Sequence, residues 1–157
     1  MLTVSLVSIA CFLYAVLLGF TFHDPLGVGL HIEVGLFATF LVTLSQSMTM
    51  FYFIGTGKQV KDLVINTPMA NDFIPRTKRF KAKVFPPALW AMLFTMATMI
   101  VGGGAHTKMF PAWIHWGLAA VALYYNIVAF WRDAKYMIEH NMLWQELERR
   151  LPAPPEG

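Results

Sequence analysis

Four long stretches without charge are the feature that most constrains how this chain can fold. No Asp, Glu, Lys or Arg occurs in residues 1–23, 34–57, 84–107 or 109–131. Each stretch exceeds the roughly 20 residues that an α-helix needs to cross the hydrocarbon core of a bilayer. Because that core offers no water to the backbone, each stretch must pair its amides internally as a helix. The sequence therefore predicts an all-α bundle of four transmembrane helices.

The composition of the whole chain supports the same prediction. Of the 157 residues, 57% are hydrophobic and 13% are charged, against roughly 25% charged residues in an ordinary soluble domain. The first stretch could be taken for a secretory signal, but it has no basic leader and no Ala-x-Ala cleavage pattern. We expect it to remain as an uncleaved helix in contact with the lipid bilayer.

The basic residues are distributed very unevenly. Eleven of the twelve lie in residues 58–83 or after residue 131, and Lys108 is the exception. The positive-inside rule then places both termini and the long loop in the cytoplasm. A basic cluster in this position is typical of contact with anionic lipid headgroups, not with nucleic acid. The size and topology favour a bacterial inner membrane protein.

Local signals set the expected boundaries of a single membrane domain over residues 1–151. The spans are predicted at about 2–22, 31–57, 84–104 and 110–131, with a cytoplasmic loop at 58–83. Residues 23–27 are expected to form the turn of the first hairpin. The glycine triplet 102–104 is expected to begin the turn of the second. Span two should continue to about Val64, while Pro68 and Pro75 keep the middle of the loop irregular. Residues 152–157 should form a disordered tail.

Residues 132–151 are predicted to form an amphipathic cytoplasmic helix that extends span four. Apolar residues recur there at helical spacing among polar ones. They are Tyr136, Ile138, Met142, Leu143, Leu147 and Leu151. We expect such a helix to lie on the membrane surface or to pack on a partner protein.

The two hairpins resemble each other in sequence. In each, a glycine is followed four residues later by a histidine, and a second histidine opens the next span. These residues are Gly19, His23 and His31 in the first hairpin, and Gly102, His106 and His115 in the second. Two hairpins of the same sense would be related by a pseudo-twofold axis along the membrane normal. Chance similarity between apolar hairpins is the alternative.

One histidine at the outer end of each span gives the chain its candidate site. His31 and His115 are the best-placed pair, since each can project into the bundle at matching depth. Gly35 and Ala119 follow them by four residues, on the same helix faces, and would let a flat ring approach the backbone. Two axial histidines with small neighbours are what a b-type haem requires. We expect His31 and His115 to ligate haem iron.

Other interpretations of the histidines stay open. His23 and His106 could support the haem, or could ligate a second metal. Zinc, copper or non-haem iron would suit the spacing equally well. Histidine is also tolerated at membrane interfaces without any cofactor, because its polar end can reach headgroups and water.

Uncharged polar residues lie deeper in the predicted spans. Four of these polar residues form a stripe on span two, and two lie together toward the cytoplasmic end of span four. They are Thr39, Thr43, Gln46 and Ser47 on span two, and Tyr125 and Asn126 on span four. Interhelical hydrogen bonds are the interpretation we favour, and a quinone or proton site is the alternative.

Several function classes are excluded by missing motifs. The chain has no glycine-rich phosphate loop, no Ser-His-Asp pattern and no CxxCH, and its one cysteine is Cys11. A self-contained enzyme or a c-type cytochrome is therefore not expected. At the level of architecture, the predicted bundle is similar to the small haem-b anchors of succinate dehydrogenases and fumarate reductases, without any shared family motif.

The leading hypothesis is an electron-transfer subunit that binds one b-type haem near the periplasmic face, within a larger respiratory or quinone-linked complex. A cofactor-free accessory subunit, packed against other subunits of a membrane complex, is the first alternative. A membrane metal-handling protein that uses the outer histidines is the second.

Overall fold

The computed structural model describes residues 2–21 and 24–151, and nearly all of them lie in four α-helices. These are α1 (Leu2–Thr21), α2 (Pro25–Val64), α3 (Ala70–His106) and α4 (Ala112–Arg150). No strand occurs within these two ranges. All four helices are long and apolar enough to cross a membrane. The predicted all-α bundle is confirmed; the predicted tail 152–157 lies outside the described residues.

The helices form a square, up-and-down bundle. Each helix packs against the next along the chain, and α1 closes the square against α4. Within the described residues α1 and α3 do not touch, and α2 and α4 touch only slightly. α2 and α4 are therefore diagonal partners that run in the same direction.

Three of the helices are much longer than a membrane is thick. α2, α3 and α4 contain 40, 37 and 39 residues, or about 55–60 Å at the rise of an α-helix. The hydrocarbon core is about 30 Å thick, which is matched by the 20 residues of α1. The bundle therefore continues as three helices beyond the end of α1. We call the end with the α2–α3 turn the basic end, and the opposite end the histidine end.

The first hairpin turns more tightly than the sequence predicts. α2 begins at Pro25, whose fixed φ suits the first position of a helix. The Asp24 carboxylate caps it by accepting a hydrogen bond from the backbone N–H of Gly27 at 3.4 Å. As a result His31 lies in the second turn of α2 and does not open the helix.

Contrary to the prediction, the glycine triplet 102–104 does not begin the turn of the second hairpin, because the helix continues through it. Gly102, Gly103 and Gly104 lie inside α3, which ends at His106. The chain reverses at residues 107–111, where Lys108 has a φ of 61° and the N–H of Met109 donates to the carbonyl of Gly104 at 2.8 Å. Packing of Gly102 against His115 and of Gly104 against Phe110 outweighs the weak helix propensity of the triplet.

Proline residues also lie inside α3, although Pro75 was expected to keep the loop irregular. Only residues 65–69 separate α2 from α3, and Pro75, Pro86 and Pro87 are helical. A proline lacks the N–H that would bond the carbonyl four residues before it. For Pro87 that carbonyl is Lys83, and it accepts a hydrogen bond from Arg132 at 3.1 Å instead. A side chain of α4 thus replaces the missing backbone donor.

The amphipathic segment 132–151 packs within the chain itself. Leu143 and Leu147 are fully buried against α2 and α3, while Ile138 and Met142 are exposed. The cluster also contains Phe53, Val60, Val64, Phe73, Phe80, Val84 and Tyr136. An ion pair between Arg76 and Glu146, at 2.8 Å, joins α3 to α4 at its edge. The basic end therefore has a hydrophobic core of its own.

The outer surface of the membrane part is apolar. Large side chains such as Leu17, Phe40, Phe51 and Ile100 are each more than half exposed. A water-soluble protein rarely exposes so continuous an apolar surface. These faces suit contact with the lipid bilayer.

Candidate functional site

His31 and His115 are each anchored by a backbone carbonyl of a neighbouring helix. Nδ1 of His31 lies 2.8 Å from the carbonyl oxygen of Ala15 on α1. Nδ1 of His115 lies 3.0 Å from the carbonyl oxygen of Thr98 on α3. A carbonyl can only accept, so each ring must carry its hydrogen on Nδ1. Each neutral ring then presents the lone pair of Nε2 to a ligand.

Both anchors have the same design. Ala15 precedes Gly19 by four residues, and Thr98 precedes Gly102 by four residues. Each histidine ring lies directly over the glycine. A Cβ on Gly19 would be 3.0 Å from Cε1 of His31, and a Cβ on Gly102 would be 2.8 Å from Cε1 of His115. A residue larger than glycine would crowd the ring at either position, and most closely at Gly102.

The two histidines meet across the bundle axis. Their ring centres are 6.0 Å apart and their planes are inclined by 86°. Two imidazoles that bind one metal from opposite sides, with nitrogens about 2.0–2.1 Å from it, have ring centres about 6 Å apart. Within the part of the chain that the structure describes, neither Nε2 has a hydrogen-bond partner. The pair therefore has the spacing and the free nitrogens for a shared ligand.

A cavity of about 610 Å³ surrounds the pair. That volume lies within the range of small-molecule and cofactor sites. Its walls are mostly apolar, and Thr39, Thr95 and Thr98 supply hydroxyl groups on its inner side. Residues of all four helices line the cavity.

The other predicted site residues are placed as follows. Gly35, Ala119 and His106 all line the cavity. A Cβ on Gly35 would meet nothing within 4 Å, so the approach of a ring to Gly35 and Ala119 stays a prediction. His23 lies outside the described residues.

Sequence reasoning missed the ring contacts of Gly19 and Gly102. The signal was present, because both glycines belong to the repeated pattern of the two hairpins. The pattern alone does not reveal the role of Gly19 and Gly102, because the small residues predicted to matter, Gly35 and Ala119, lie on the same helix as each histidine. The contacts arise between neighbouring helices and depend on how the bundle closes.

His106 lines the same cavity as the pair, but the described residues do not form a larger cluster of metal ligands. Within residues 2–21 and 24–151, no three or more His, Cys, Asp or Glu side chains are grouped so that they could hold a metal ion. A tetrahedral zinc site needs four ligands, or three with a water. The described side chains thus offer two nitrogens on one axis and no complete cage.

The deeper polar residues behave in three different ways. Thr39 and Thr43 donate to carbonyls of their own helix, four residues back. Asn126 instead reaches across to α3, where its Nδ2 donates to Oγ1 of Thr95 at 3.0 Å. Oε1 of Gln46 is buried with no hydrogen-bond partner among the described residues. Interhelical hydrogen bonding therefore accounts for only part of this set.

Comparison with known proteins adds no assignment. No protein-family model, no curated protein and no solved structure matches the chain.

Proposed function

We propose that this chain binds one b-type haem between His31 and His115 and serves in one-electron transfer across part of the membrane. The observation that carries the proposal is the matched pair of rings, each anchored through Nδ1 to a neighbouring helix, with ring centres 6.0 Å apart in the wall of the cavity. Ligating histidines characteristically donate their other nitrogen to a carbonyl or carboxylate. The Ala15 and Thr98 carbonyls fill that role.

The number of protein ligands favours haem over a bare metal ion. A porphyrin supplies four nitrogens of its own, so two axial histidines complete the iron coordination. Zinc or copper would need further side chains, and the described residues offer none in position. Gly19 and Gly102 also suit a flat macrocycle. They allow α2 and α4, which carry the two histidines, to approach α1 and α3 closely.

The residues of this chain would tune the cofactor in three ways. The carbonyl anchors fix the ring orientation and make each Nε2 a stronger ligand. The apolar cavity walls would keep water from a bound haem, which would affect its reduction potential. Two nitrogen ligands leave no open position on the iron, so the haem would exchange electrons and not bind oxygen.

The setting of this activity is part of the proposal. The positive-inside rule supports a cytoplasmic basic end and a periplasmic histidine end in a bacterial inner membrane. Electron transfer needs a donor and an acceptor, so we place the chain in a larger complex or beside a membrane quinone. The exposed apolar faces of the bundle could contact other subunits as well as lipid.

The test is a reduced-minus-oxidised absorption spectrum of the purified chain, paired with a pyridine haemochrome assay. We expect one b-type haem per chain, and loss of it in His31→Ala and in His115→Ala while both variants remain in the membrane. His106→Ala is the matched control: it lines the same cavity and should keep the spectrum.

Two other results would each overturn the proposal. A colourless, intact chain would favour a cofactor-free accessory subunit of a membrane complex. Bound zinc or copper, found by elemental analysis in place of haem, would favour a metal-handling protein.

A further inference from the structure

Below the cavity, toward the basic end, the bundle core contains polar atoms without partners. They are Oε1 of Gln46, Oδ1 of Asn126, both carboxylate oxygens of Asp133 and Nε2 of His140, and none has a hydrogen-bond partner among the described residues. Each of these side chains is at most 3% exposed. Native proteins pair nearly all such atoms, so a group of unpaired ones in one core needs a physical reason.

These side chains follow one line through the bundle. Asn126, Asp133 and His140 are seven residues apart and therefore share one face of α4. Counting from His115, they lie about 16, 27 and 37 Å toward the basic end. On α2, Gln46 lies about 22 Å beyond His31 and Thr49 about 27 Å. Along this line Gln46 lies between Asn126 and Asp133 in depth, and Thr49 is level with Asp133.

The upper end of this line opens into the cavity. Thr95 lines the cavity and accepts a hydrogen bond from Nδ2 of Asn126 at 3.0 Å. Nδ2 also donates to the carbonyl of Ala122 at 2.8 Å. These two bonds fix the orientation of the amide. Its Oδ1 is left without a hydrogen-bond partner among the described residues.

The lower end lies in the three-helix part of the bundle. Nδ1 of His140 is 3.3 Å from the hydroxyl of Tyr52, and Tyr52 is only partly buried. The rings of Phe53 and Phe80 flank the imidazole. Tyr52 and His140 thus form a polar pair that joins a partly buried hydroxyl to a buried imidazole, seven residues beyond Asp133 on α4.

Asp133 is the central group. It is fully buried, and it takes part in no ion pair among the described residues. Thr49 of α2 lies beside it, but neither carboxylate oxygen completes a hydrogen bond of good geometry. A carboxylate in such a place is costly when ionised and unpaired. Asp133 lies directly beyond the last charge-free stretch, and ionisable residues buried inside membrane bundles characteristically bind ions or relay protons.

The nearby cations are engaged elsewhere. Arg132 donates to the carbonyl of Lys83, Lys135 lies over the rings of Trp131 and Tyr136, and Nζ of Lys81 lies beside Gly57. Among the described residues, none of these three side chains forms an ion pair with Asp133. A proton is the remaining cation that a single buried carboxylate can hold without further ligands.

We propose that these buried polar groups form a proton path from the basic end of the bundle to the cavity, with Asp133 as the group that takes up and releases the proton. A proton from water at the basic end passes by way of Tyr52 and His140 to the Asp133 carboxylate, which becomes a carboxylic acid. Its O–H bond then breaks, and the proton moves past Gln46 and Asn126 to the cavity. No electron moves, and Asp133 is regenerated.

The lengths of the path and the cavity support this assignment. Together they extend about 37 Å along the axis, more than the roughly 30 Å of a hydrocarbon core. Internal waters commonly bridge buried polar atoms that have no protein partner, and waters between these groups would close the gaps that remain. The proposal goes beyond electron transfer and does not depend on haem.

Proton flux into vesicles tests the path. The full chain, prepared without added haem, is reconstituted in vesicles that enclose a pH-sensitive dye, and a potassium diffusion potential drives protons inward. We expect the wild-type chain to acidify the lumen faster than Asp133→Asn, which should match protein-free vesicles. Asp62→Asn is the control, because it removes an exposed carboxylate at the same end and should conduct like wild type.

Asn126→Leu is a second variant, which interrupts the row of buried polar groups without changing Asp133. If one of the two variants fails to fold, the other still tests the proposal. Equal flux in wild type, Asp133→Asn and Asn126→Leu would overturn the proposal. The two proposals also fail separately. Haem binding without flux removes the proton path, whereas flux in a chain that binds no haem removes the electron-transfer function.

Discussion

The ring of His31 is held 6.0 Å from the ring of His115, with the two planes inclined by 86°. Neither histidine sets this geometry alone. Each ring is fixed by a hydrogen bond to a carbonyl on a different helix, α1 for His31 and α3 for His115. All four helices therefore contribute to the relative position of two side chains, and the site depends on closure of the whole bundle.

The glycines beneath the rings give the first prediction. Gly102→Ala should displace the His115 ring, because the new Cβ would be 2.8 Å from Cε1. Gly19→Ala should have a smaller effect on His31, since the corresponding distance is 3.0 Å. We expect lower haem content in both variants, measured by the haemochrome assay, with the larger loss in Gly102→Ala.

Gly103→Ala is the control for this prediction. A Cβ at Gly103 would meet nothing within 4 Å, and alanine stabilises a helix interior by up to about 1 kcal/mol relative to glycine. Full haem content in Gly102→Ala, or an equal loss in Gly103→Ala, would contradict the role given to the ring contacts.

The sequence predicts the bundle but not all that it encloses. Charge-free stretches of membrane length allow essentially one solution for the backbone, and the hairpin repeat identifies His31 and His115 by local spacing. The contact between Gly102 and His115 joins two helices, and no pattern within one helix reveals it. The histidine pair was predictable from the sequence, whereas the surfaces that hold it were not.

Asp133 is a second residue whose surroundings the sequence does not predict. In the sequence it follows directly after the last charge-free stretch, beside Arg132, and resembles an ordinary charge at a membrane boundary. Its complete burial arises because α2 and α3 continue past the membrane and surround α4. Pro75 was misleading for a related reason, since packing in this three-helix part stabilises a helix that local propensity disfavours.

The core of the basic end gives a second prediction. Leu143→Ala should destabilise the folded chain by about 2–5 kcal/mol, the usual cost of removing a fully buried leucine side chain. Met142→Ala, one residue away but 61% exposed, should change stability by less than about 0.5 kcal/mol. Chemical unfolding in detergent measures both. Equal effects would mean that residues 132–151 do not pack against α2 and α3.

Arg132 and Pro87 give a third prediction, in the form of a double-mutant cycle. Arg132→Met removes the donor to the Lys83 carbonyl and should cost about 0.5–1.5 kcal/mol. Pro87→Ala restores the backbone N–H that a helix normally directs to that carbonyl. In the Pro87→Ala background, Arg132→Met should therefore cost much less. Strictly additive unfolding free energies would show that the two groups do not share this acceptor.

The last prediction concerns the cost of keeping Asp133. A buried polar group without a good partner lowers stability by about 1–3 kcal/mol, and a carboxylate that must exchange its proton carries that cost permanently. Asp133→Asn keeps the shape of the side chain while removing its charge. We expect its unfolding midpoint in detergent to rise at neutral pH, although its proton flux is lost. A variant that gains stability while losing flux would identify Asp133 as retained for function. A lower midpoint would indicate instead that the ionised carboxylate stabilises the bundle, through contacts that the neutral amide cannot make.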